Sequence, residues 1–67
     1  MTAAEFFTES LLVVASAEDV PTLDRQYARR ITELIDRGVT VAWLEQLAHA
    51  WRARDTELFH DSIGGAQ

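Results

Sequence analysis

Two histidines and a set of carboxylates in the last third of the chain are the residues whose types suit chemistry. His49 and His60 fall on nearly the same side of an amphipathic segment, but eleven helical positions separate them by about 16 Å, too far to share a metal ion. Glu45 and His49, spaced i, i+4, offer two ligands on a solvated face, where a metal site needs a third. His60 beside Glu57 or Asp61 suits general acid and base work, yet the spacing brings no nucleophile or oxyanion donor to it. The chain has no Cys and no Gly-rich phosphate loop. No cofactor and no metal is therefore expected, and the chain is not expected to be an enzyme.

What remains is the chemistry of recognition. Eleven acidic against six basic residues give a formal charge of −5, a field that repels phosphate backbones and anionic membrane surfaces. All six basic residues are Arg, which suits bidentate pairing with carboxylates. Arg25, Arg29, Arg30 and Arg37 are diluted by Glu33 and Asp36, the pattern of an ion-paired solvated face. Asp55 falls inside an apolar arc, one turn beyond Trp51. A buried carboxylate requires a partner, and a guanidinium of Arg30 or Arg37 is the expected one. If Asp55 instead lies where the helix overhangs, it meets a basic group on another protein.

These residues sit on elements that read as helices. From Val41 to Ser62, at about 100° per residue, Trp43, Leu47, Leu58, Trp51, Leu44, Ala48, Val41 and Phe59 share one face, and Trp51 is the expected centre of the core. Glu45, His49, Arg52, Thr56 and His60 lie opposite. Upstream, Thr2-Ala3-Ala4-Glu5 has capping-box spacing and begins a helix over about 3–17. Leu12 and Val13 fall outside its apolar half. The only Pro and a run of turn residues mark the first connection. Asp19 is the expected cap of a helix over 20–37, striped by Leu23, Tyr27, Ile31, Leu34 and Ile35. Gly38 stops that helix, and Thr40, with Val39 and Leu44 as a hydrophobic staple, starts the third over 41–62. The short second connection forces an antiparallel hairpin. The expected fold is all-α, an up-down-up three-helix bundle with a long C-terminal helix that overhangs, forming one domain over 1–63 with a flexible tail at 64–67.

A chain of 67 residues buries only about 60% of its unfolded surface, so its stability is marginal, and without Cys a partner chain is the remaining source of help. Leu12, Val13 and Trp43 are the surplus apolar groups, and burying two such side chains is worth about 3–6 kcal/mol. Together with Glu45, Asp55, Glu57 and Asp61 they form the candidate partner-binding set. The expected function is that of a small acidic, non-catalytic protein-interaction module, an adaptor, accessory subunit or inhibitor. Its partner is another protein or a second copy in a homodimer. Glu5 and Glu9 interrupt the first apolar run, which is too short to span a bilayer, so no membrane partner and a cytoplasmic location are expected. The alternative is a degenerate helix-turn-helix regulator binding DNA through Arg52 and Arg54. Its pattern departs at Glu45 and His49, where that motif carries a small residue and a Gly, and nucleic acid is the disfavoured partner.

Overall fold

A computed structural model describes residues 1–65, with side chains through His60, and its helices are α1 (Ala3–Ala15), α2 (Val20–Asp36) and α3 (Val41–Gly65). Among the described residues there is no strand. Phe7 of α1 stacks on Trp43 near the start of α3, and Arg54 of α3 reaches Ala17 just past the end of α1, so these two helices run parallel. The chain turns back between Asp36 and Val41 and Tyr27 stacks on Trp51, so α2 runs antiparallel to α3 and hence to α1. The up-down-up bundle expected from the apolar periodicity is therefore the fold.

The ends of the helices follow local chemistry. In the capping box of α1, Thr2 N–H donates to Glu5 Oε1 at 3.0 Å while Glu5 N–H donates to Thr2 Oγ1 at 3.1 Å. The first helix stops at Ala15, two residues short of expectation: Ser16 N–H still bonds the Leu12 carbonyl, but Ala17 N–H bonds the Val14 carbonyl at 3.4 Å, an i→i−3 bond that tightens the last turn. At α2, Thr22 N–H donates to Asp19 Oδ1 at 2.8 Å and Pro21 occupies the first turn, where its missing N–H costs nothing. That helix closes in a Schellman motif: Gly38 N–H bonds Ile35 O at 3.0 Å, Val39 N–H bonds Leu34 O at 3.3 Å, and Gly38 takes φ +73°. Thr40 Oγ1 accepts from Trp43 N–H at 3.4 Å to begin α3. The helix continues through Gly65, past the end expected near 62, since helical glycines cost only about 1 kcal/mol each and no proline follows. Residues 66–67 of the proposed tail lie outside the described residues.

Val14, Leu23, Leu34 and Leu47 have no accessible surface and, with Phe7 and Ala17, form the core. Leu47, rather than Trp51, is the residue of α3 at its centre. An indole carries an N–H that needs an acceptor, so Trp51 packs at the rim on Tyr27, ring centroids 5.0 Å apart, and donates to Asp24 Oδ1 at 3.0 Å. The buried face of α1 includes Ser10, whose hydroxyl donates to the Phe6 carbonyl at 2.8 Å; it is satisfied, and small where a neighbouring helix approaches. Ala4 and Ala15 lie at the surface of α1.

The helices differ in length: about 37 Å for α3 against about 20 Å for α1 and 25 Å for α2, from the rise per residue. The molecule accordingly measures 44 × 18 × 15 Å, with a radius of gyration of 12.8 Å. A compact chain of this length would have a radius of about 11 Å. With Tyr27 level with Trp51, Val20 stands level with Leu58, and Phe59 begins the overhang beyond α2.

Two measurements check the end chemistry. Gly38→Ala places a side chain in open space but at a left-handed φ, so denaturant titration should show a loss of about 1–2 kcal/mol. The Glu5 carboxyl is held below its ordinary 4.5 by hydrogen bonds from Thr2, and that of Asp19 below its ordinary 3.8 by hydrogen bonding from Thr22. Both depressed groups add stability above those values and lose it as the pH falls through the lowered ones. Asp19→Ala should thus lower the melting temperature at neutral pH, and the deficit should shrink below about pH 4.

Candidate functional site

Of the seven candidate partner-binding residues, the six whose side chains are described do not converge on one patch. Leu12 is 64% exposed on the outer face of α1, beside a shallow depression lined by Met1, Ala4, Glu5, Thr8 and Glu9. Val13 turns the other way and is half-buried next to Ala17 and Thr22. Trp43 is engaged within the bundle, its ring stacked on Phe7 at 4.7 Å and 16°. Glu45 is exposed near the start of α3. Glu57 is exposed about three turns later, 3.9 Å from Arg54. Asp55 is half-buried, and Asp61 lies outside the residues whose side chains are described.

The expected pairing of Asp55 with Arg30 or Arg37 does not occur. Arg30 Nη1 instead donates to Glu9 Oε1 of α1 at 2.9 Å, and Arg37 pairs with Glu33 at 3.3 Å on its own helix. Both guanidinium groups also lie over the Phe6 ring, 4.9 and 4.6 Å from its centroid. The reason is geometric. Asp24 and Asp55 are near the N-terminal end of α2, whereas Arg30 and Arg37 face α1 further along it. The pattern of Phe6 with Glu9 on α1, Arg30 on α2 and Arg37 at the C-cap of α2 is a charged constellation that spacing along a single helix could not reveal.

A second tether ties α1 to α3. Arg54 Nε donates to the Ala17 carbonyl at 2.7 Å, where the chain has just left α1. This guanidinium caps the C-terminal end of a helix that has no basic residue of its own in its last turn. It is also one of the two arginines on which DNA recognition would depend, and it is turned inward. The helix that carries it runs unbroken from Val41 to Gly65, with no turn near His49 to separate a recognition helix.

Three residues expected in the core are at the surface. Ile35 is 58%, Val41 67% and Phe59 60% exposed, although each continues an apolar stripe. The first two sit where the α2–α3 hairpin turns, and the third stands on the overhang, so none of the described elements covers them. Among the described residues no three His, Asp or Glu side chains gather where they could hold a metal ion. No described helix is long and apolar enough to cross a membrane.

Replacing Arg54 by Met keeps the aliphatic stem and removes the charge-assisted bond to Ala17. The expected loss is about 1.5–3 kcal/mol by thermal unfolding, with faster amide exchange concentrated at Ala15–Ala17. No family model, curated protein or solved structure matches this chain.

Proposed function

We propose that the chain is a small acidic, non-catalytic protein-interaction module of the adaptor, accessory-subunit or inhibitor kind, acting in the cytoplasm by surface complementarity. The observation that carries this reading is the surplus of exposed apolar side chains on a bundle whose own core is already closed. A domain this small is marginally stable, and exposed apolar side chains that gather into a contiguous patch mark a surface meant to be covered. Leu12 is the anchor we assign to a partner protein. It stands on the strip of α1 that includes Met1, Ala4, Thr8 and Ala15, flanked by the Glu5 and Glu9 carboxylates. With Glu9 already paired to Arg30 and Glu5 held in the capping box, the strip itself is apolar and suits the apolar stripe of a partner helix. The net charge of −5 opposes nucleic acid.

The purified chain, immobilised and exposed to its native lysate, tests this. Retained proteins should be lost with Leu12→Glu while the helical circular dichroism stays unchanged. Retention of the same proteins by both forms, or of none above bead background, overturns the reading.

A further inference from the structure

The apolar faces of α2 and α3 are wider than one copy of the chain covers. Val20, Ile35, Val41 and Phe59 are all exposed, and they share one side of the molecule. At 100° per residue, Val41, Glu45, Ala48, Arg52 and Phe59 lie within an arc of about 60° on α3, and Val20, Asp24, Ala28, Ile31 and Ile35 within about 80° on α2. Contacts orient both arcs. Trp51 leans toward α2 through Tyr27 and Asp24, while Trp43 and Arg54 lean toward α1 through Phe7 and Ala17. The Val41–Phe59 arc therefore borders α2 on the side away from α1, and the two arcs form one continuous face.

We infer that this face pairs with the same face of a second copy, in an antiparallel two-fold arrangement that sets Glu45 of each protomer against Arg52 of the other. This rests on the interaction-module reading, of which it names one partner. Charge selects the occupant. Glu45 and Arg52 are both exposed, stand two turns apart on the same edge, and enter none of the ion pairs among the described residues. A two-fold axis at their midpoint brings each onto the opposite charge of the partner, twice over. The midpoint falls beside Ala48, a small side chain that lets two helices approach to about 8 Å.

The same axis disposes of the exposed aromatic. Phe59 lies about 16 Å along α3 from the midpoint, and the equal distance on the other side falls at the α2–α3 turn. There Ile35 and Val41 are exposed, and a Cβ built at Gly38 would meet no atom within 4 Å. Each Phe59 thus covers the hairpin end of its partner, and the four helices form an antiparallel bundle. The face is about 27 Å long from Val41 to Phe59 and two helices wide, so the pair buries on the order of 1,000 Å², the least a specific interface requires. The outer strip of α1 is one helix wide and about 20 Å long, less than half that area, which is why self-pairing is assigned to α2 and α3 and not to Leu12.

Sedimentation equilibrium of the full chain at concentrations up to about 100 µM and low salt reads the result. The native chain should weigh twice 7.5 kDa. Glu45→Arg and Arg52→Glu should each raise the dissociation constant about tenfold or more, and the two together should restore it to within about threefold of native. Both positions are exposed, so helical content by circular dichroism should be the same in all forms. Phe59→Ser should weaken pairing, and Leu12→Glu should leave it intact. A single 7.5 kDa species throughout, a combined variant as weak as the single ones, or dissociation by Leu12→Glu would overturn the interface. Such a failure leaves lysate binding through α1 untouched, and loss of lysate binding leaves this pairing untouched, so the two results fail separately.

Discussion

Closure of the core around Leu47 is the constraint on which the rest depends. Among the described residues six apolar side chains are buried, and Val14, Leu23, Leu34 and Leu47 are the ones wholly removed from water. Three helices can meet over so few groups only if their contact surfaces are narrow, and Ser10 keeps α1 narrow at the middle of its buried face. Its hydroxyl returns to its own helix at Phe6, so a polar residue occupies the core without leaving an unsatisfied group. The larger aromatic side chains are then displaced to the rim, where Phe7 meets Trp43 and Tyr27 meets Trp51 in two nearly parallel stacks.

A small apolar centre is non-directional, and three polar tethers around it set how the helices register. Arg30 to Glu9 joins α2 to α1, Trp51 to Asp24 joins α3 to α2, and Arg54 to the Ala17 carbonyl joins α3 to α1. Each helix pair has one such bond. They lie near the surface, where an ion pair alone contributes little, but each is a directional contact whose geometry is met in only one register. The Phe6 ring, faced by Arg30 of α2 and by Arg37 at the C-cap of that helix, extends the first of these into a packed layer.

The same narrowness has a consequence at the surface. Because α3 is nearly twice as long as α1, and because the core is closed by residues up to Leu58, the apolar stripe of α3 runs out of neighbours at both ends. Val41 and Phe59 are what is left, and Ile35 is left beside the hairpin turn. The proposed pairing of two copies and the proposed docking on α1 use different helices. A dimer through α2 and α3 would still present two copies of the Leu12 strip.

Local rules were enough for much of this structure. Thr2 with Glu5, Asp19 with Pro21, and Gly38 with Thr40 act on the backbone within one turn, so their sequence spacing alone located the helix ends, and the apolar period fixed three helices and their up-down-up order. Leu12 as an exposed apolar residue was legible for the same reason, since it lies outside the stripe of its own helix. Periodicity could not rank residues within a stripe. It could not tell that Leu47 would occupy the centre and Trp51 the rim, that Val41, Ile35 and Phe59 would be uncovered, or that Arg30 would choose Glu9 over Asp55. Those outcomes depend on how far neighbouring helices extend and on the rotation of each about its axis. Both are set by contacts between residues more than twenty positions apart, and only the assembled bundle decides them.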